Sequence, residues 1–225
     1  TPYRDTEIWP YYASNYPPLF HVVLAPLVWL FGEAYWYGRL AGFLGTLVTA
    51  SAIGYAVWQA GQRRWIAVLA GLAFLSSNTV YHIGPLLRQH MTMVMLETLA
   101  VVLLANSFPA RRRSHTALGF SLLIAAGYTK QLAAITAIAA LVWALLRNLR
   151  RALLWGLGFA LAGILIFLMI DWSTGGQWWR QAILANVNQI DPIQIFGLAV
   201  LHFQLHGFLL VPALLLTIKI GRAHV

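Results

Sequence analysis

The chain has 225 residues, 60% of them hydrophobic and only 9% charged, with a formal net charge of +9. A soluble domain carries roughly 25% charged residues, so a water-soluble globular protein is excluded and an integral membrane protein is expected. The basic excess does not indicate nucleic acid, because the arginines fall in short segments between apolar runs rather than on one polar face, and the lack of cysteine excludes a disulfide framework and any cysteine-ligated metal.

In chain order, residues 1–17 are polar and aromatic and read as a loop outside the membrane. Residues 18–32 are apolar, but short for a span and interrupted by Pro26, so a helix lying in the outer interface is expected. Residues 36–58 form the first full span, running inward to Arg63-Arg64. Residues 65–84 return outward, 85–90 make an outer turn, and 91–107 run inward toward Arg111-Arg112-Arg113. Residues 116–128 go outward and 131–146 come back, with an outer hairpin at 127–131; Arg147, Arg150 and Arg151 follow. Residues 152–170 go outward, 171–192 form an outer loop rich in Trp and Asn, and 193–218 form the last span. The fold class is all-α: a polytopic helical bundle of about seven spans plus the interfacial helix.

Two apolar stretches separate each arginine group from the next, so all three groups share a face. Clustered arginine resists translocation, which makes that face cytoplasmic. Five of the six acidic residues, Asp5, Glu7, Glu33, Asp171 and Asp191, then lie in or beside segments on the opposite face. Any chemistry is expected there, on the non-cytoplasmic side of a plasma (inner) membrane. A crossing by residues 18–32 would take that address away from the first acidic loop.

Ionisable groups in or near an apolar slab are costly and call for an explanation. Arg39, Arg88, His90 and Lys130 gather on the outer side, against the charge bias of the other loops. Interfacial snorkelling accounts for any one of them; the set favours a site for an anionic headgroup, since arginine offers phosphate a planar fork and lysine a point charge. Glu97 lies about two helical turns below His90 on the same face. It reads either as a partner for Lys130 or Arg39 or, with more weight, as a protonated acid bonded to a neighbouring helix. His202 and His206 have metal-like spacing, but no third ligand is evident, so packing is favoured and no metal is assigned. Trp178-Trp179 with Asn186, Asn188 and Asp191 could hold a sugar through ring stacking and amide hydrogen bonds, or could simply anchor the interface. Alone, Asp5 and Glu7 read as a solvated pair.

Tyr16-Pro17-Pro18-Leu19, Leu30-Phe31-Gly32 and Gly38-Arg39-Leu40 together resemble a signature of bacterial multi-spanning glycosyltransferases of the C superfamily, relatives of polyprenyl-phosphate-mannose protein mannosyltransferases and of lipid A aminoarabinose transferases. Residues 85–91 resemble that family's next outer turn, Thr129-Lys130-Gln131 its Thr-Lys-Gln hairpin, and Asn186-Val187-Asn188 its Asn-x-Asn. His90 stands where the family commonly has an Asp.

The resemblance implies transfer of a sugar from a polyprenyl-phosphate carrier to an acceptor outside the cytoplasm, with inversion. It implies Asp5 as the visible candidate base, and Arg88, Lys130 and Arg39 as donor-phosphate ligands. Tyr16, His90, Gln131, Trp178, Asn186 and Asn188 become loop or substrate contacts. A divalent metal is compatible with the family, but no ligand set is readable. The alternative function is a transporter or flippase of a lipid-linked or anionic substrate, with Glu97 and the two histidines as a proton relay. Residues 1–218 are expected to be a transferase membrane domain truncated at both ends, and by itself inactive. The heptapeptide at 219–225 is what a common short-read sequencing adapter encodes, so a non-native tail is expected there. A native continuation in the source DNA past Ile218 would remove that expectation.

Overall fold

A computed structural model describes residues 3–9, 13–187 and 191–223, and for parts of 208–223 the backbone alone. Its regular structure is helical, with no strand among the described residues. The helices are α1 (Leu19–Phe31), α2 (Trp36–Gly61), α3 (Arg64–Leu75), α4 (Asn78–Ile83), α5 (His90–Ser107), α6 (Arg113–Thr129), α7 (Ala134–Arg147), α8 (Leu149–Ser173) and α9 (Pro192–Ala223). Short 3-10 turns occupy Gln131–Ala133 and Leu184–Asn186, and a π-helical turn occupies Trp179–Ile183.

Among the described residues, three helices are long and apolar enough to cross a membrane: α2, α5 and α8. The chain is therefore an α-helical, membrane-associated protein. α1, α3 and the run Gln131–Arg147 are apolar but shorter. An unbroken crossing over 65–84 is not what forms. α3 ends at Leu75, and the Ser77 hydroxyl accepts from the Val80 N–H at 3.4 Å to start the separate helix α4. Serine hydroxyls offer the backbone a local alternative to the helical ladder, so adjacent serines break an apolar run that looks continuous by hydropathy. The expected outer loop over 171–192 is also largely helical, since α8 continues to Ser173 and two short turns follow.

α5 packs most extensively on α6 and α2. α5 and α6 form an antiparallel hairpin around Ala100, Leu104, Phe120 and Leu123, with Ala137 of α7 joining them. At its turn, the Thr116 hydroxyl donates to Ser107 Oγ at 3.2 Å. α2 runs parallel to α5. Its first half carries Gly38, Gly42 and Gly45, all buried, and this small-residue stripe lets two backbones approach closely. A Cβ on Gly42 would lie 2.9 Å from the Leu86 carbonyl oxygen, and one on Gly45 would lie 2.9 Å from that of Met91. The glycines thus seat the turn carrying Arg88 and His90. At the other end of the pair, Asn106 Nδ2 donates to Gln59 Oε1 at 2.8 Å.

Those contacts sort the charges. Arg63-Arg64 follow Gln59, and Arg111–Arg113 follow Asn106. The Arg151 guanidinium lies 4.5 Å from the centroid of the Phe108 ring, which sits 5.8 Å from that of Trp143, with Arg147 over the latter. The three arginine groups therefore gather at one end of the unit formed by residues 1–186, and Arg88, His90 and Lys130 lie at the other. Residues 187–225 form a second compact unit. In it, Asp191 caps α9 by accepting from the N–H groups of Ile193 at 2.9 Å and Gln194 at 3.1 Å, while Pro192 occupies the first helical position.

Candidate functional site

Lys130 owes its place to a break between two helices. α6 ends at Thr129; Lys130 adopts an extended conformation, φ −157° and ψ 135°, and the chain turns at once into Gln131–Ala133 and α7. The ammonium thus leaves the hairpin at the start of α5, where its Nζ lies 2.5 Å from His90 Nε2. With the ammonium donating, His90 is neutral and carries its proton on Nδ1, an atom that is buried and has no hydrogen-bond partner among the described residues. Nζ also sits 5.3 Å from the centroid of the Tyr16 ring, within cation–π range. Desolvation by burial, and secondarily the charge of Arg88, hold the Lys130 ammonium below the usual lysine range.

Arg88 is exposed, and its neighbour Gln89 is buried, with its amide nitrogen 3.2 Å from His21 Nε2 of α1. Among the described residues, no carboxylate is bonded to Arg88 or Lys130. Two like charges held together without a counter-ion favour an anion between them. Arg39 is exposed on the first turn of α2, and its side chain is not hydrogen-bonded into this group. Glu97 shares a cavity with Thr136 of α7 rather than pairing with Lys130, which is bonded to His90 instead.

The loop carrying Asp5 and Tyr16 is sewn to the π-helical turn. Gln181, 3% exposed, accepts from the Ser14 N–H at 2.9 Å and donates to the Arg4 carbonyl at 2.5 Å. Gln131 Nε2 and Asn186 Nδ2 each donate both to the Asn15 carbonyl, at 2.9 Å, and to that of Ala182, at 2.9 and 3.0 Å. The Tyr3 hydroxyl donates to the Tyr16 carbonyl at 2.6 Å. The Gln131 and Asn186 amides are thus engaged in holding this loop. The Asp5 carboxylate accepts from the Glu7 N–H at 3.0 Å, closing a turn within its own segment.

Of the two readings of Trp178, sugar platform or interfacial anchor, the first needs an open ring face, which Trp178 does not have. It is 2% exposed, and Tyr3, Tyr128 and Phe167 surround it with ring centroids 5.3–6.4 Å away. Such pairs add roughly 0.5–1.5 kcal/mol each beyond area burial, so Trp178 is a packing core for the loop rather than an open face. Asn188 lies outside the described residues. Gln181, Gln89 and His21 were not anticipated; a glutamine inside a run of Trp and Arg carries no spacing signal that separates an anchor from a surface residue.

Open space adjoins the site on two sides. His21 and Leu87 line a cleft of about 710 Å³ between α1 and α2. Pro17 and Gln131 are among the residues lining a nearly wholly apolar cavity of about 330 Å³, with Leu123, Ala137, Leu141 and Phe159, between α6, α7 and α8. Among the described residues, no group of three or more His, Asp or Glu side chains forms a metal-holding cluster. Compared with family models, curated proteins and solved structures, the chain gives no match.

Proposed function

We propose that this chain belongs to a membrane glycosyltransferase that moves a sugar from a polyprenyl-phosphate carrier to an acceptor on the non-cytoplasmic side of a multi-spanning bundle. The observation that carries the reading is the Arg88–Lys130 pair. The two cations have no carboxylate partner among the described residues and stand at the end of the bundle opposite the three arginine groups, and Lys130 lies over Tyr16 of the loop that also bears Asp5. A leaving lipid phosphate gains charge as the glycosidic bond breaks, so cations held there act preferentially on the transition state.

The apolar cavity that Gln131, next to Lys130 in the chain, helps to line suits an isoprenoid tail beside such a phosphate. Asp5 is the proposed base, taking the acceptor hydroxyl's proton as that oxygen attacks the anomeric carbon. Its loop is clamped to the same surface by Gln181, Gln131 and Asn186. The seven crossings supply the topology: α3 and α4 together, α6, α7 and α9 would add to the three long helices.

The test is a transfer assay of the complete protein with a panel of polyprenyl-phosphate sugars. Transfer from at least one is expected; translocation of the lipid without transfer would move the reading to a flippase. Orientation is tested separately. The chain has no cysteine, so Leu132→Cys, exposed beside Lys130, and Ala110→Cys, exposed beside Arg111, are clean reporters. A membrane-impermeant maleimide is expected to label the first in intact cells and the second only after permeabilisation. The opposite pattern overturns the proposal.

A further inference from the structure

The arginine end carries a site of its own. Phe108, at the end of α5, and Trp143, on the last turn of α7, form a tilted ring pair 5.8 Å apart. The Arg151 guanidinium lies over the first ring at 4.5 Å from its centroid and that of Arg147 over the second at 5.7 Å. A cation–π contact uses none of the guanidinium N–H donors, so the fork that matches phosphate stays available. Arg147 also ends α7, where the helix dipole favours a cation. The only acidic residue between Glu33 and Asp171 is Glu97, so the sequence around these arginines supplies no nearby carboxylate.

Sharing Trp143 with this ring pair, a groove of about 240 Å³ runs between α5 and α7, lined by Trp143, Leu104, Ala105 and Ala139 and reaching Val101 and Thr136. Val101 and Thr136 also line the next cavity, of about 380 Å³, so the apolar channel continues toward Glu97. Trp143 and Thr136 are seven helical rises apart, about 10 Å of apolar path.

We propose that this groove holds one anionic phospholipid, with its phosphate on Arg147 and Arg151 and an acyl chain along the channel toward Thr136. Basic pockets between membrane helices bind anionic headgroups through paired charge, while the groove adds the apolar contact that fixes one lipid in place. A second copy of this chain is a poor occupant, because it would bring its own arginines to the same rim. The site lies at the opposite end from Lys130 and does not depend on glycosyl transfer.

The full chain in nanodiscs of phosphatidylcholine with a minor share of phosphatidylglycerol, followed by native mass spectrometry, measures the retained lipid. Wild type is expected to keep one phosphatidylglycerol per chain in preference to phosphatidylcholine. The Arg147→Gln, Arg151→Gln double variant is expected to weaken that preference about tenfold or more. Ala105→Phe with Ala139→Phe, both at exposed groove positions, leaves the charge unchanged and is expected to weaken it comparably. Millimolar inorganic phosphate is expected not to compete. Retention unaffected by filling the groove, displacement by inorganic phosphate, or equal retention of phosphatidylcholine would each overturn the proposal.

Discussion

Lys130→Ala in the complete protein is expected to lower the rate of sugar transfer by about 10²–10³-fold, the cost of removing one preorganised charge from a developing anion. Arg88→Ala is expected to follow with a comparable loss. Arg88 is exposed, and Lys130 sits in a helix break rather than a packed ladder, so membrane insertion and the amount of folded protein should not change. The loss belongs in kcat as well as KM if the cation acts on the leaving phosphate.

The pH profile separates a charge role from a packing role. Burial first, and the Arg88 charge second, depress the Lys130 ammonium. An anion is bound only by the protonated form. Binding is therefore complete below the depressed value and is lost as pH rises through it, earlier than an ordinary lysine would allow. Lys130→Arg is expected to keep part of the activity and to remove that alkaline limb. Wild-type rates in both alanine variants would remove the phosphate site from the mechanism.

Gly42→Val and Gly45→Val are expected to damage activity without touching a charged group. The atoms that a new side chain would meet are backbone oxygens, at 2.9 Å from the Cβ in each case. Backbone cannot rotate aside as a side chain can, so the turn at 84–91 has to move or α2 has to tilt. Overpacking of this kind costs about 1–3 kcal/mol, and a displacement near 1 Å at a positioned charge costs about 10²-fold in rate. Gly158→Ala is the control, because a Cβ there meets nothing within 4 Å. Thermal unfolding in detergent together with the transfer rate checks both effects. Unchanged values for both valine variants would show that the Arg88 turn is not seated by the α2 glycines.

The sorting of charge was legible in the sequence because it depends only on parity. Two apolar runs between arginine groups bring the chain back to the same end, and the Gln59–Asn106 and Phe108–Trp143 contacts place the groups there. That Lys130 and His90 share a side was legible for the same reason, since a hairpin returns to its starting level, but their direct contact was not, the partner weighed for Lys130 being Glu97. What was not legible depends on partners distant in the chain. Trp178 looked like an open platform beside amides, but the ring that covers one side of it is Tyr3, at the far end of the same unit. Gln131 and Asn186 read as loop or substrate contacts, and their N–H groups go to the loop, to the carbonyls of Asn15 and Ala182. The break at Ser76-Ser77 was hidden by hydropathy, which scores serine as mildly polar and does not see that its hydroxyl can end one helix and start another.

That break has a consequence for the surrounding lipid. α3 has twelve residues and α7 fourteen, which gives them apolar lengths of about 18 and 21 Å, against a hydrocarbon thickness near 30 Å. Where either helix crosses without its continuation in α4 or in Gln131–Ala133, the adjacent acyl tails would have to shorten or splay, unlike those along α8. Such a crossing would thin the bilayer locally, and spin-labelled tails around the protein would then report lower order than around an isolated α8 peptide. Equal order in the two would mean that other parts of the chain fill the gap.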